Sequence, residues 1–412
     1  MRILIVSAQF PYPPRSGFAM RVSHLARRLA ERHEVTLLSY ATAEEAAAGD
    51  GQAGSVRIVT VARDSTSTRH KRVAQALSLA SPRPFSCRSV DSPAMQRAID
   101  ELCSREQFDV IQLETSLLCT FTFPRGPRLV LDEHNIEYEV LRRTADGERS
   151  ATRRLFSRLE GARLRRFERR CWSRVDACMV TSDRELPVVR RHAGQIPVGV
   201  VPNGVDVEYF RPGAGDIGAR TVVFNGILTY RPNVDAAEHL VEEIWPLVLR
   251  RHPDARLTLV GRASEQDRRR LARPGVDVVG EVPDIRPFLR QAAVVAVPVR
   301  MGGGTRLKVL EGLALGKAMV STSLGCEGID VRDGEHLLIG DGAESFASKV
   351  TELFDDPASG EELGGAGRRL IEREYSWDLV GRRMATVYAE MLLRTPPERP
   401  RTRSSLASDV SA

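Results

Sequence analysis

The fold of this chain of 412 residues is decided by one stretch, Gly302-Gly303-Gly304-Thr305-Arg306-Leu307-Lys308-Val309-Leu310-Glu311-Gly312-Leu313. The apolar run from Val294 to Val299 precedes it and is typical of a buried strand. Apolar residues then follow at helical spacing, at Leu307, Leu310 and Ala314. The glycines are therefore predicted to lie in a turn from a strand to a helix. There they allow a ligand to approach the backbone, and the first N–H groups of the helix suit a phosphate.

Two cations at the start of this predicted helix point to the same ligand. Arg306 and Lys308 fall in its first turn, where positive charge costs about 0.3–1 kcal/mol, and a bound dianion would remove that conflict. Glu311, about one turn further on, could accept the two hydroxyls of a ribose. The alternative is an ordinary strand-to-helix turn in which Lys308 and Glu311 form a weak i,i+3 pair. The spacing matches neither GxxxxGK[ST] nor GxGxxG.

The composition sets the class of protein. Hydrophobic residues make up 42% of the chain and charged residues 28%, which is typical of a soluble globular protein of two or three domains. No apolar run approaches the length of a membrane span, and Ile3-Leu4-Ile5-Val6 is better explained as a strand than as a signal-peptide core. The six cysteines show no CxxC and no metal-ligand spacing, so we expect reduced thiols and a cytoplasmic protein.

Both halves of the chain alternate short apolar runs with helical stretches, which predicts an α/β fold with mostly parallel sheets. The predicted strands of the first half are Ile3 to Val6, Val35 to Leu38, Val56 to Val61, Val110 to Leu113, Leu129 to Leu131 and Ala177 to Val180. Those of the second half are Val222 to Phe224, Leu257 to Val260, Val276 to Val279, Val294 to Val299, Met319 to Val320 and Leu337 to Ile339. We therefore expect two sheets of about six strands.

The domain boundary is predicted at Val201-Pro202-Asn203-Gly204-Val205-Asp206, where proline and Asn-Gly indicate a linker. One domain would then cover residues 1–203 and a second residues 204–376. A last helix, residues 377–393, is expected to pack back on the first domain. Residues 394–412 have little to bury and are predicted to form a disordered tail.

Several of these motifs together resemble a known family. They are the loop that ends at Gly17, Asp132-Glu133-His134-Asn135, the 201–206 linker, Gly261, Gly280-Glu281-Val282-Pro283-Asp284 and the stretch from Gly303 to Glu311. The combination is similar to the retaining glycosyltransferases of family 4. It is closest to a bacterial branch that assembles exopolysaccharides and other surface polysaccharides, including exosortase-associated sugar transferases. The resemblance covers about residues 1–393 and implies the GT-B fold, two facing Rossmann-like domains with a deep cleft between them.

The resemblance implies a set of residues that bind a nucleotide-diphosphate sugar as donor substrate. They are Gly226, Val282, Gly304, Thr305, Arg306, Lys308 and Glu311. Glu311 would hold the ribose, and the two cations would neutralise the diphosphate with help from the backbone before them. Gly226 would let the phosphates approach, and the backbone near Val282 would lie against the nucleobase. Arg231 is a candidate further cation.

One position departs from the family pattern. Gly303 stands where many relatives carry a first glutamate that contacts the donor sugar. Two interpretations are open: a different donor preference, which Arg306 and Lys308 favour, or a catalytically silent partner of a membrane assembly complex that binds sugar nucleotides or glycans. A third alternative keeps the fold and changes the reaction to that of an epimerase or a phosphorylase.

The expected chemistry needs positive charge on the leaving diphosphate, which Arg306 and Lys308 supply without a metal or a further cofactor. Retention is expected from the family, by front-face attack in which the leaving phosphate accepts the acceptor's proton. His134 is the catalytic candidate of the first domain, and the alternative for it is a hydrogen-bonded structural histidine. With Gly17 and Asn135 it is assigned to the acceptor side. Asp132 and Glu133 could act as a general base, but we expect them to be solvated at the surface.

The positive charge of the chain is local. The whole chain carries +6, whereas the segment Arg142–Arg174 holds twelve arginines against four acidic residues. A solvated helix face is the simplest explanation. A patch that meets anionic lipid headgroups is the next, because apolar residues are interspersed with the arginines, at Leu155, Phe156, Leu159, Leu164 and Phe167. Nucleic-acid binding is not expected, since no nucleic-acid-binding motif accompanies the segment.

Overall fold

The chain divides into two units, residues 1–202 together with 381–412, and residues 203–380. The computed structural model describes residues 1–49, 51–63, 83–146, 150–213 and 218–395. The tail predicted from residue 394 therefore lies outside the described residues from residue 396 on. Each unit is built on its own parallel sheet, which confirms the predicted α/β class.

The first unit has a seven-stranded parallel sheet in the order β3-β2-β1-β4-β5-β6-β7. Its strands are β1 (Arg2–Ser7), β2 (Glu34–Ala41), β3 (Arg57–Ala62), β4 (Val110–Leu113), β5 (Arg128–Glu133), β6 (Ala177–Val180) and β7 (Val198–Val200). Six of them were predicted from apolar runs. The seventh, β7, was missed because it has only three residues and lies between Pro197 and Pro202.

Helices cover the sheet of the first unit. They are α1 (Gly17–Ala30), α2 (Ala43–Gly49), α3 (Phe85–Arg88), α4 (Pro93–Arg105), α5 (Glu137–Asp146), α6 (Ala151–Trp172) and α7 (Leu186–Ala193), with a 3₁₀ turn at Ser116–Thr120. Residues from 381 on belong to α15 (Trp377–Leu392), the last helix of the chain. Its apolar side is buried, and Val387 packs against Gly199, where a Cβ would lie 2.3 Å from the valine methyl.

The second unit has a six-stranded parallel sheet in the order β10-β9-β8-β11-β12-β13. Its strands are β8 (Thr221–Asn225), β9 (Arg256–Val260), β10 (Val276–Gly280), β11 (Val294–Val297), β12 (Met319–Ser321) and β13 (Leu338–Ile339). All six were predicted. The helices are α8 (Arg231–His239), α9 (Trp245–Arg251), α10 (Glu265–Leu271), α11 (Arg286–Gln291), α12 (Leu307–Ala314), α13 (Ala343–Asp355) and α14 (Pro357–Glu374). A π-helical segment, Leu240–Ile244, joins α8 to α9 just before Pro246, which has no N–H to donate.

The arginine-rich helix α6 is held by its few acidic residues. Glu168 accepts hydrogen bonds from the backbone N–H groups of Glu137 and Tyr138, both at 2.9 Å, where α5 begins. Glu160 accepts from the backbone N–H of Ser86 at 2.9 Å in α3. Carboxylates at helix N-termini satisfy unpaired donors and complement the helix dipole. The buried face of α6 is therefore anchored to two helices, and most of its arginines lie on the other side.

Candidate functional site

The carboxyl ends of three neighbouring strands in the second unit approach one another through glycine backbone. Gly226 follows β8 and donates its N–H to Val260 of β9 at 2.9 Å, and Gly261 donates to Gly280 of β10 at 2.7 Å. A Cβ on Gly261 would lie 1.9 Å from the carbonyl oxygen of Gly226, and the φ of Gly261 is +146°. Only glycine fits there, so backbone rather than side chains forms this part of the surface.

Lys308 reaches this glycine edge from α12. Its Nζ donates to Oδ1 of Asn233 at 3.0 Å and lies 4.2 Å from the centroid of the Phe224 ring. A Cβ on Gly226 would lie 2.8 Å from the same Nζ. Burial lowers the pKa of Lys308 to about 7, and Glu311 opposes that effect. The ammonium ion is therefore short of negative partners, and an anion beside Gly226 would stabilise it.

Glu311 lies one turn further along α12 and meets Asn225 at the end of β8. Nδ2 of Asn225 donates to Oε2 of Glu311 at 3.3 Å. Burial raises the pKa of Glu311, while the Asn225 bond and Lys308 lower it. Oδ1 of Asn225 and the hydroxyl of Thr305 are both buried without a hydrogen-bond partner among the described residues. Buried polar atoms of this kind point to a polar ligand.

The sequence predicted Arg306 in the first turn of the helix. The structure places it just before the helix. The helix begins at Leu307, and Arg306 is its N-cap residue in an extended conformation, φ −83° and ψ 98°. Its Nη1 donates to the carbonyl of Gly303 at 2.6 Å and also to that of Gly304. The guanidinium therefore closes the glycine turn, in which Gly302 and Gly304 have φ of +102° and +73°.

The loop that follows β10 has a fixed conformation. Asp284 accepts two hydrogen bonds from the guanidinium of Arg286, at 2.8 and 2.9 Å, and one from its backbone N–H at 2.9 Å. Val282 is partly buried against the core of the unit. The backbone between Gly280 and Asp284 is thus presented at the same edge of the sheet as Gly226 and Gly261.

A second polar cluster lies in the first unit, around His134 at the carboxyl end of β5. Nε2 of His134 lies 3.0 Å from Oε2 of Glu114 and 3.5 Å from Oδ2 of Asp132. The ring of Phe18, on α1, packs on the imidazole with 4.5 Å between centroids. Burial alone would lower the pKa of His134, but Asp132 and Glu114 outweigh it and raise that pKa to about 9. The imidazole is therefore protonated at neutral pH and acts as a donor.

Asp132 and Glu133 are not solvated at the surface, and that expectation was wrong. The exposed fractions of the two residues are 0% and 1%, because β5 continues through Glu133. Successive side chains of a strand point to opposite faces. Asp132 accepts two hydrogen bonds from Arg21 of α1, and Glu133 accepts one from Nε1 of Trp172 of α6 at 2.8 Å. Each carboxyl group is held from its own side of the sheet.

Gly17 begins α1, and Asn135 follows the end of β5. Gly17 is the first residue of α1, whose N-cap, Ser16, accepts a hydrogen bond from the N–H of Ala19 at 3.2 Å. Asn135 directly follows His134, and its Oδ1 is buried without a hydrogen-bond partner among the described residues. The amide of Asn135 is thus available to a ligand.

Glu114, Asp132 and His134 also place one ligand atom each within 4.8 Å of one another, and they form the one such group among the described residues. Arg21 holds both oxygens of Asp132 and puts a positive charge beside the cluster. The protonated imidazole adds a second. The two carboxyl groups of the cluster therefore already have two cationic partners.

Several solved structures share this fold along nearly the whole chain. A sucrose-phosphate synthase from Thermosynechococcus elongatus matches with a TM-score of 0.70 at 18% identity, covering 96% of this chain and 100% of that one. Anabaena HepE in complex with UDP matches with a TM-score of 0.68 at 14% identity, covering 94% and 100%. These likenesses concern the fold, which is GT-B.

Two family models match the sequence. "Glycosyltransferase Family 4" covers residues 15–209, and "Glycosyl transferases group 1" covers residues 219–356. One model falls on each unit, and together they take in most of the chain. The chain belongs to the GT-B glycosyltransferases.

Two curated relatives are named as mannosyltransferases of phosphatidylinositol lipids. A GDP-mannose-dependent monoacylated alpha-(1-6)-phosphatidylinositol monomannoside mannosyltransferase of Corynebacterium glutamicum is 28% identical over 45% of this chain, and the match spans 55% of that relative's length. A phosphatidyl-myo-inositol mannosyltransferase of Mycobacterium tuberculosis is 26% identical over 72% of this chain and 77% of that protein.

Four side chains of this GT-B chain matter to the clusters and were missed from the sequence. They are Arg21, Glu114, Asn225 and Asn233. Three of them carried a signal: Arg21 falls on the apolar stripe of α1, and Glu114 and Asn225 directly follow the predicted strands Val110 to Leu113 and Val222 to Phe224. Asn233 gave no such signal, because its partner on α12 is far away in sequence.

Proposed function

We propose that this protein transfers a sugar, with retention of configuration, from a nucleotide-diphosphate donor to a glycan or lipid-linked acceptor in the synthesis of a surface polysaccharide or glycolipid. The single observation that carries the proposal is Lys308. It is a cation with a pKa lowered to about 7 by burial, placed beside the glycine edge at Gly226. Such a lysine suits a ligand that brings negative charge.

The donor is proposed to lie along the carboxyl edge of β8, β9 and β10. Its diphosphate would rest on the Gly226 backbone and the glycine turn closed by Arg306, with the ammonium of Lys308 beside it. Glu311 would accept the ribose hydroxyls, since Asn225 already orients its carboxylate. The backbone near Val282 would lie against the nucleobase. The buried hydroxyl of Thr305 is available for a phosphate oxygen.

The reaction is proposed to proceed without a metal or a further cofactor. Lys308 and Arg306 stabilise the charge that develops on the leaving diphosphate, and a leaving oxygen takes the proton of the attacking acceptor hydroxyl. His134, protonated at neutral pH, cannot act as the base and is proposed to donate a hydrogen bond to a hydroxyl of the sugar or acceptor. Gly17 and Asn135 would line the acceptor side.

Two other functions remain as alternatives on this fold. Gly303, in place of an acidic residue, suits a catalytically silent partner that binds sugar nucleotides or glycans. An epimerase or a phosphorylase would use the same diphosphate or phosphate site. Turnover, and the anomeric configuration of the product, separate these three.

We propose in addition that the protein works at the inner face of the plasma membrane, with α6 on an anionic lipid surface. Among the described residues, no helix is both long and apolar enough to cross a membrane. Leu155 and Leu159, one turn apart, are 61% and 45% exposed. Exposed arginines share the helix with them: Arg153, Arg158, Arg165, Arg166 and Arg170. Exposed leucines flanked by arginines are typical of helices that lie on a membrane.

Cosedimentation with vesicles tests this membrane surface. Wild-type protein should pellet with vesicles that contain an anionic phospholipid and not with purely zwitterionic ones. The double variant Arg158→Glu/Arg166→Glu should lose most of that binding. Arg32→Glu/Arg105→Glu, two exposed arginines of the first unit outside α6 and α3, is the matched control. Equal loss in both variants would leave α6 without a special role.

Calorimetry with a panel of nucleotide-diphosphate sugars, with and without EDTA, tests the donor site. We expect micromolar binding that EDTA does not change and that Arg306→Ala and Glu311→Ala each weaken about tenfold or more, roughly 1.4 kcal/mol. Arg332→Ala, at a side chain that is 70% exposed, is the control. Product from the donor so identified should keep the donor's anomeric configuration by NMR. No binding to any member of the panel would overturn the proposal.

A further inference from the structure

A continuous row of buried hydrogen bonds in the first unit connects the last helix to His134. Tyr388, on α15, donates its hydroxyl proton to Oε1 of Gln112, on β4. Nε2 of Gln112 donates to Oε1 of Glu114 at 2.6 Å. The other oxygen of Glu114 lies 3.0 Å from Nε2 of His134. Gln112 and Glu114 thus each have a partner on both sides, and the row runs from the Tyr388 hydroxyl to the imidazole.

Burial raises the pKa of Glu114, and the hydrogen bonds from His134 and Gln112 oppose that rise. With Glu114 ionised, the row has one arrangement of donors and acceptors. An ionised Glu114 can only accept, so Gln112 must present its NH₂ group to Glu114 and its carbonyl oxygen to Tyr388. The tyrosine hydroxyl is then the donor that fixes the amide in this orientation. Gln112, Glu114 and Tyr388 are 0%, 1% and 3% exposed, so water does not compete for these bonds.

Docking of α15 does not depend on the hydroxyl of Tyr388. Met384, Val387 and Met391 on the same helix are buried and supply apolar contact. A phenylalanine at position 388 would supply the same ring. The hydroxyl therefore adds a directed bond, whose effect falls on Gln112 and, through it, on Glu114.

We propose that Tyr388 and Gln112 are positioning residues, which hold the Glu114 carboxylate and thereby fix the Nε2–H group of His134 in its working orientation. The inference rests on the proposed function, in which His134 donates to the sugar or acceptor. It adds that the last helix of the chain controls a group at the carboxyl edge of the first sheet.

Other charged groups also face His134 and set the background for a test. Asp132 lies 3.5 Å from its Nε2 and is itself bound by Arg21. Glu137, at the start of α5, interacts electrostatically with the imidazole. Asp132 also interacts electrostatically with Tyr388. The hydrogen-bonded path from Tyr388 and Gln112 to His134 runs through Glu114.

The test combines a titration with kinetics. Ring-labelled histidine followed by NMR gives the pKa of His134, with the signal assigned from His134→Gln. Tyr388→Phe and Gln112→Leu should each raise that pKa, because the Glu114 carboxylate loses a donor that stabilises its charge and then stabilises the positive imidazolium more strongly. Both variants should lower kcat of sugar transfer about tenfold while the donor Kd stays unchanged. Tyr40→Phe is the matched control, since it removes a buried hydroxyl that donates to the carbonyl of Val90 at 2.6 Å.

The two readouts separate failure of the inference from failure of the proposed function. An unchanged titration of His134 in Tyr388→Phe and Gln112→Leu would overturn the positioning role, whether or not the protein transfers sugar. A shifted titration with kcat no lower than in Tyr40→Phe would overturn its link to catalysis. Absence of transfer by the wild-type protein would count against the proposed function, and the titration would then decide the positioning role alone.

Discussion

Arg21 and Asp132 form a two-point ion pair inside the first unit, with Nε of Arg21 2.9 Å from Oδ2 of Asp132 and Nη2 2.6 Å from Oδ1. Their side chains are 1% and 0% exposed. Nη1 of Arg21 also donates to the carbonyl of Pro202 at 3.0 Å. Burial alone would raise the pKa of Asp132, but Arg21 and then His134 lower it to about 2. One guanidinium therefore ties α1 to the end of β5 and supports the charge beside His134.

Arg21→Leu should destabilise the first unit strongly. The substitution leaves the Asp132 carboxylate buried without its cation, and breaking a buried pair in this way costs about 3–5 kcal/mol. Urea unfolding gives the free energy. The control is Arg28→Leu, on the same helix, where the arginine is 36% exposed and pairs with Glu31; its expected cost is under about 1 kcal/mol. Similar losses for the two variants would contradict the importance of the Arg21–Asp132 pair.

Glu133→Gln should stabilise the protein increasingly as the pH rises. Burial raises the pKa of Glu133 to about 8, so the folded protein keeps a proton that the unfolded chain releases above its ordinary pKa of about 4.5. Stability from this group is therefore present below pH 4.5 and lost as the pH rises through 8. Glutamine stays neutral, and its oxygen can still accept from Trp172.

The melting temperature at pH 5 and pH 8 measures this effect. The difference in melting temperature between Glu133→Gln and wild type should grow in favour of the variant from the lower to the higher pH. Glu101→Gln, at a side chain that is 56% exposed, should show no such trend. A variant that melts below wild type by the same amount at both pH values would contradict the assigned protonation of Glu133.

Gly226→Ala should weaken donor binding more than it weakens the fold. The new Cβ would lie 2.8 Å from Nζ of Lys308 and 2.9 Å from the amide of Asn233, both ends of flexible side chains that can move aside. Their displacement removes the ammonium from the proposed diphosphate site. Calorimetry should show at least a tenfold weaker Kd for the donor. Gly365→Ala, inside α14, is the control, and loss of binding there as well would make the Gly226 result nonspecific.

Local sequence pattern predicted the strands but not the pairs that build the sites. The runs Val110 to Leu113 and Ala177 to Val180 match β4 and β6 residue for residue, because a strand buried on both faces is mostly apolar. The Arg21–Asp132 pair joins residues 111 positions apart, and a local sequence pattern cannot predict a contact at such a separation. The expectation that Asp132 is solvated at the surface was wrong for that reason.

The glycine stretch was predicted well as a turn and less well in its details. Three glycines and a following apolar stripe suffice to place a strand before the stretch and a helix after it. They do not determine that the helix begins at Leu307, because the N-cap depends on where the Arg306 guanidinium finds carbonyl partners, at Gly303 and Gly304. The hydrogen bond from Lys308 to Asn233 could not be predicted either, because Asn233 lies on another helix.

Donor binding should take up a proton above pH 7, and the amine of Lys308 should be the group that accepts it. Its pKa in the free protein is about 7, so at pH 8 most molecules carry a neutral amine. A diphosphate binds the ammonium form, so binding draws in close to one proton and the affinity falls up to about tenfold per pH unit above 7. Calorimetry with a nucleotide sugar at pH 8, in HEPES and in Tris, measures the uptake from the difference in apparent enthalpy.

Two lysine variants identify the group that takes up the proton. Lys308→Arg keeps a positive charge at every accessible pH, so proton uptake should disappear and the affinity should no longer depend on pH between 7 and 9. Lys317 is the matched control, because burial lowers its pKa to about 8 too, while its Nζ donates to the carbonyl of Arg290 at 2.9 Å. Lys317→Arg should leave the uptake intact. If uptake persists in Lys308→Arg and vanishes in Lys317→Arg, the ammonium beside Gly226 is not the one that meets the diphosphate.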